Sequence, residues 1–295
     1  MGRAILRISH SVSNTLSSHD LMNSHALHEG DSKCRNESND HEVNDFGCHD
    51  NALHILAEDV NGNHKVGSVH SEQGAKGANQ DAAVLFQGYG LEDGAFCGVF
   101  DGHGEYGHVV SRVVRNQLPS LLLHQKRYLE WEEAFVNAFK AMDKVVKLHV
   151  NVDCSLSGTT AVVVVKQGDD LFVANLGDSR AVLGSLTDNG IQAIQLTMDL
   201  KPDVPGKETC LLFYAVPQWW IQKSQLWVWD VLTNDEVVST VWSAKSKQEA
   251  AKVVIQEAHA SWKRKFPKSK VDDCSVVCLF FQEESDNILL PPPTT

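Results

Sequence analysis

The sequence has no surplus of positive charge: 26 Lys and Arg stand against 38 Asp and Glu, a formal net charge of −12. General nucleic-acid binders and anionic-membrane binders need basic patches, so neither class fits. No Cys-x-x-Cys pair occurs. The seven cysteines (Cys34, Cys48, Cys97, Cys154, Cys210, Cys274 and Cys278) are odd in number and lack framework spacing. That argues against a zinc ribbon, a thioredoxin-like site or a disulfide scaffold, and for a reducing, intracellular setting. No apolar run approaches the length of a membrane span. Met1-Gly2-Arg3-Ala4-Ile5-Leu6 lacks the hydroxyl residue at position 6 of a myristoylation signal and the long apolar region of a secretory signal. The expectation is a soluble protein of the cytosol or nucleus. No internal repeat is visible.

What is present is an ordinary globular composition, 42% hydrophobic and 22% charged over 295 residues, enough to bury a core. Residues 1–60 stand apart: they hold seven of the fourteen histidines, with weak apolar periodicity, and read as a loose extension. Cys34, His41, Cys48, His49 and His54 fall there, but their spacing matches no zinc module. Alternation or short apolar runs predict strands near 82–87, 96–100, 159–166, 171–175, 180–184, 191–196 and 275–281. Period-3.6 stripes predict helices over 106–123, 131–146 and 248–262, with a further helix through Val237, Val238 and Val241 capped by Asn234. The domain is expected to run over 61–282, with 283–295 a tail.

The chemistry is concentrated in Val99-Phe100-Asp101-Gly102-His103-Gly104. A turn of this kind directly after an apolar strand aims a carboxylate and a bare carbonyl at one point, and hard oxygen donors suit Mg²⁺ or Mn²⁺. Asp-Gly is also a common turn dipeptide, so Asp101 taken alone reads more often as a turn than as a ligand. Asp272, in Val271-Asp272-Asp273-Cys274-Ser275-Val276-Val277, is a second acid at a strand mouth. Asp178 is expected to brace the Gly177 turn and pair locally with Arg180.

Seven segments in order resemble the metal-dependent protein phosphatases of type 2C, in their plant form. They are Gly74-Ala75-Lys76-Gly77-Ala78-Asn79-Gln80-Asp81, the Asp101 and Asp272 segments above, Ser157-Gly158-Thr159-Thr160-Ala161, Asn175-Leu176-Gly177-Asp178-Ser179-Arg180, Leu196-Thr197-Met198-Asp199-Leu200-Lys201-Pro202-Asp203, and Trp229-Asp230-Val231-Leu232-Thr233-Asn234. The resemblance implies an α+β fold, a central sandwich of two antiparallel sheets flanked by helices in αββα layers. It also implies a monomer that hydrolyses phosphoserine and phosphothreonine in proteins, through a water activated by two Mg²⁺ or Mn²⁺ ions. By similarity Asp101 bridges the metals, the Gly102 carbonyl and Asp272 are ligands, and Asp81 orients metal-bound water. Lys76 receives the phosphate and His103 protonates the leaving oxygen. Phosphorylated proteins, protein kinases among them, are the implied partners.

The chain departs from the family pattern between Lys201-Pro202-Asp203 and Trp229. A Ser-Arg-Ala-x-Gly-Asp motif is missing, which predicts a sandwich incomplete in the middle. Ser224-Gln225-Leu226-Trp227 stands where an Ala-Thr-Asp-Gly motif belongs, which puts Leu226 at a metal-ligand position. Segment 206–229 is aberrant in composition as well: Thr209 to Trp229 has no Asp or Glu and holds four of the seven tryptophans. Asp230 lies four residues past the ligand position and, on a strand, would be too far to substitute. Two functions are therefore open: a metal-dependent serine/threonine phosphatase, or an inactive phosphatase-like protein that binds phosphorylated partners.

Overall fold

In the computed structural model, residues 53–56, 67–149, 156–188, 190–200, 220–223 and 226–281 are described. They belong to one compact unit. The first half contains β1 (Leu53–Leu56), β2 (Gly67–Glu72), β3 (Asp81–Gln87), β4 (Ala95–His103), α1 (Gly107–Lys126) and α2 (Trp131–Lys147). Then come β5 (Gly158–Thr159), β6 (Ala161–Gln167), β7 (Asp170–Leu176), β8 (Arg180–Thr187) and β9 (Gly190–Gln195). The chain closes with β10 (Trp220–Lys223), α3 (Leu226–Val231), α4 (Asn234–Trp242), α5 (Ala250–Lys265) and β11 (Cys274–Leu279).

One sheet has the order β1-β3-β4-β6-β7 with β5 beside β4, and the other the order β2-β11-β10-β8-β9. All pairings are antiparallel except β1 on β3. Strand β1 lies within the segment read from sequence as a loose extension. Strict alternation sorts the side chains into three apolar layers. Phe96 and Phe100 of β4 face Val114 and Leu118 of α1 and Phe135 of α2. The odd-numbered neighbours Cys97 and Val99 face Val277 and Leu279 of the other sheet. Val276 and Cys278 face Val254 and Ile255 of α5. Each fully buried large side chain contributes about 1.5–3 kcal/mol, so these layers dominate the folding free energy. Cys97, Cys274 and Cys278 are buried free thiols within them.

Three sequence expectations change around the aberrant segment. The second sheet runs unbroken through β10, whose residues pair with β11 on one side and β8 on the other. A ladder needs only backbone N–H and C=O groups, so a foreign sequence can fill it. Leu226 starts helix α3 and is not on a strand. Val228, Val231 and Leu232 are buried at helical spacing against α5 while Asp230 is exposed, and Ser261 Oγ and Lys265 Nζ both donate to the terminal Val231 carbonyl. Helix α4 is capped by Thr233 instead of Asn234, through a reciprocal capping box with Glu236.

Candidate metal centre

The same alternation that builds the middle layer builds the site at one end of it. On β3 the inward stripe reads Leu85, Ala83, Asp81, and on β4 it reads Cys97, Val99, Asp101. On β11 it reads Leu279, Val277, Ser275, and on β2 Val69 is followed by Ser71. Every stripe turns from apolar to polar at the same edge of the sandwich. Asp81 stands directly opposite Asp101, and Ser275 directly opposite Ser71. Facing residues of an antiparallel pair have Cβ atoms only ~5 Å apart, and like charges there repel.

Asp81 is fully buried, and neither carboxylate oxygen meets a hydrogen-bond donor. Ser275 is close by, but its hydroxyl donates to Ser71 Oγ at 2.8 Å. Asn79 fixes the approach to β3, donating to Ser71 Oγ at 3.0 Å and accepting the Asp81 N–H at 2.9 Å. Burial, and then the neighbouring Asp101 carboxylate, push the Asp81 pKa well above the usual carboxylate range. Two orphaned oxygens in the interior are costly unless a cation or its water shell satisfies them.

Asp101 is held by its backbone. Its N–H donates to Thr160 Oγ1 at 3.1 Å, its carbonyl accepts the Thr160 N–H at 2.9 Å, and Thr160 Oγ1 shares a hydrogen with Ser179 Oγ at 2.7 Å. Gly102 is required by space: a Cβ would lie 2.2 Å from the Gly107 carbonyl oxygen at the start of α1. Its N–H donates to the Gln80 carbonyl at 3.1 Å, and Ser111 of α1 donates to that carbonyl too, at 2.6 Å.

Lys76 and Asp272 meet in an ion pair at the rim. The loop that carries Lys76 is stitched to the residues before β11. Asp273 accepts Gly74 N–H at 2.8 Å and Gln80 N–H at 2.9 Å, and Ala75 N–H donates to the Val271 carbonyl at 2.6 Å. Gly74 packs so closely that a Cβ would lie 2.2 Å from the Asp272 carbonyl carbon. His103 is exposed at the end of β4, with its ring against Gly158. It borders a cavity of about 220 Å³ between α1 and α2, lined by Val110, Val114, Phe139 and Met142.

Of the six residues expected at the site, Asp81, Asp101 and Gly102 therefore gather at the β3/β4 edge. Lys76 and Asp272 form a pair beside them, and His103 borders the α1/α2 cavity. Among the described residues, no three His, Cys, Asp or Glu side chains stand close enough to hold a metal ion as they are placed. Sequence reasoning missed Asp273, which stitches the whole loop, and Thr160, which fixes Asp101. The doubled acid of Asp272-Asp273 was the available signal, since one of two adjacent acids at a strand mouth must turn inward. Arg180 grips Asp199 with two nitrogens of its guanidinium fork, with Nε–Oδ1 at 2.9 Å and Nη2–Oδ2 at 2.5 Å.

Residues 65–206 match the family model described as Protein phosphatase 2C. The chain is 41% identical to the "Probable protein phosphatase 2C 72" of Arabidopsis thaliana, covering 87% of that protein with 75% of its own length. The chain belongs to the protein phosphatase 2C family. It is also 40% identical to the "Probable protein phosphatase 2C 64" of Oryza sativa subsp. japonica, covering 68% of it with 77% of this chain. The Arabidopsis alignment spans 290 positions but only three quarters of this chain, so that phosphatase 2C relative carries sequence that is missing here. The family match ends at residue 206, where the aberrant segment begins. The solved serine-threonine phosphatase 2C of Toxoplasma gondii shares the fold, with a TM-score of 0.60 at 18% identity over 72% of this chain and 94% of that one. Phosphatases 2C typically use Mg²⁺ or Mn²⁺. No helix among the described residues is long and apolar enough to cross a membrane.

The β3/β4 edge supplies part of a donor set for such an ion, two facing carboxylates with no third ligating side chain gathered beside them among the described residues. Asp81 and Asp101 are hard oxygen donors, and the orphaned Asp81 oxygens lack the partner that a hydrated divalent cation supplies.

Proposed function

We propose that this chain is a divalent-cation-dependent protein serine/threonine phosphatase, with its catalytic domain at 61–282. The observation that carries this reading is the buried, unpartnered carboxylate of Asp81 directly opposite Asp101. A bound Mg²⁺ or Mn²⁺ would supply an activated water and offset the charge of the phosphoryl group. Asp101 and the Gly102 carbonyl would hold the ion, and Asp81 would accept hydrogen bonds from its water shell. Lys76 offers an ammonium at the rim as a point charge for the substrate phosphate, without the bidentate fork of an arginine. His103, exposed beyond Asp101 on the same strand, would protonate the departing serine or threonine oxygen. Phosphorylated proteins, including protein kinases, are the substrates that fit, and a monomer of the cytosol or nucleus is the state that fits.

A second reading rests on Leu226. The position that should carry an acid begins helix α3, and Asp272 is engaged by Lys76. A chain left with too few ligands would bind phosphorylated partners without turning them over. Mn²⁺-dependent phosphate release from a phosphothreonine peptide separates the two. Turnover by the purified chain that is lost in Asp101→Ala supports the phosphatase. No turnover from folded protein supports the binding protein.

A further inference from the structure

We propose that the cavity between α1 and α2 receives a large apolar side chain flanking the phosphorylated residue of a protein substrate. This rests on the reading of His103, above, as the group at the departing serine or threonine oxygen. The apolar layer under the two helices ends in short side chains, Val110 and Val114 of α1, Val146 of α2 and Ala161 of β6, and leaves a cavity of about 220 Å³ there. An apolar cavity of about 150 Å³ already takes up benzene, so a phenylalanine or leucine side chain fits this one.

The lining sets the chemistry of the occupant. Polar groups at the margin are engaged with protein partners: Asp143 pairs with Lys147 at 2.7 Å, and Ser157 Oγ accepts the Tyr106 N–H at 3.0 Å. The deeper wall, with Leu118, Phe139, Met142 and Leu176, is apolar. Such a wall gives water few of the partners it needs and gives an anion no compensating donor, so an apolar group is the one it favours. The position sets which apolar group. His103 lines the same cavity and stands opposite Gly158 of β5, two residues beyond Asp101 on β4. A Cβ at Gly158 would lie 2.8 Å from His103 Nε2, so the glycine lets the ring stand at the mouth. Consecutive residues of an extended peptide are about 3.3 Å apart along the chain. A residue next to one whose oxygen meets His103 therefore lies within side-chain reach of the opening.

Fluorescence anisotropy of the full chain in Mn²⁺ tests this with a pair of labelled peptides that carry the non-hydrolysable phosphonate analogue of phosphothreonine, flanked on both sides by Phe in one and by Gly in the other. The Phe peptide is expected to bind about tenfold tighter or more, the gain from burying an aromatic side chain. Met142→Trp fills the cavity and should bring the affinities of the pair to within about twofold of each other. Where circular dichroism shows that this variant does not fold, Val146→Phe fills the cavity from α2 in its place. Equal affinities in the parent, or a preference that survives in a folded, filled variant, overturns the inference and leaves the phosphatase reading standing. Binding of neither peptide by folded parent overturns both.

Discussion

Replacing Asp273 by alanine probes how this centre is held together, because one side chain joins the Lys76 loop to the strand that closes the fold. Asp273 is 5% exposed, and its oxygens accept Gly74 N–H at 2.8 Å and Gln80 N–H at 2.9 Å. Bonds to a charged acceptor contribute about 1.5–3 kcal/mol each, and the variant leaves both part-buried donors without one. The expected loss is therefore about 3–5 kcal/mol, a large share of the ~5–15 kcal/mol that stabilises a domain. Asp273→Asn keeps one acceptor oxygen and should lose about half as much. The loss can enter globally, or as local opening of residues 73–80 while the sandwich stays closed. Urea unfolding reads the first, and amide hydrogen exchange at Gly74 and Gln80 reads the second, with protection falling by about a hundredfold or more. If unfolding free energy changes by less than about 1 kcal/mol and neither amide loses protection, Asp273 does not hold the loop and the reasoning fails.

Asp81→Asn should stabilise the metal-free protein at neutral pH by about 1–3 kcal/mol and weaken Mn²⁺ binding at least tenfold, read by thermal melts and dialysis. Because the folded state holds the Asp81 proton more tightly than the unfolded one, stability of the metal-free parent relative to this variant falls as pH rises from the ordinary value of 3.8 up to the raised folded value. A difference that grows on acidification contradicts this. Gly102→Ala forces a Cβ to within 2.2 Å of the Gly107 carbonyl and should cost about 1–3 kcal/mol, with Mn²⁺ affinity reduced about tenfold or more; unchanged affinity refutes it. Arg180→Lys loses the fork on Asp199, the Asn234 contact at 2.9 Å and the stacking 4.5 Å from the Trp229 ring. It should cost about 1–3 kcal/mol, and a melting temperature within about 1 °C of the parent would contradict it.

Much of this architecture is legible in the residues themselves. Alternation along Asp81–Gln87 and Ala95–His103 marks the strands, and the 3.6-residue stripe from Trp131 to Met142 marks α2. Local order alone specifies such elements, because period and turn chemistry are properties of neighbouring residues. The order of the motifs likewise points to the family. Segment 206–229 resists the same treatment. Its β10 has no strand pattern of its own kind, yet it completes a ladder between β11 and β8.

The roles of adjacent acids lie beyond the sequence. Asp272 and Asp273 are neighbours in the chain, yet one pairs with Lys76 at the rim and the other is buried on the backbone of residues 74 and 80. Arg180 reaches Asp199, nineteen residues away in the chain. The sequence by itself determines which segments alternate, which stripes are apolar and which acids sit at strand ends, since these follow from spacing. Only the tertiary structure decides which carboxylate finds a backbone donor, which finds an ammonium and which is left buried without a partner, because charge in a low-dielectric interior is settled by the few ångströms around each group.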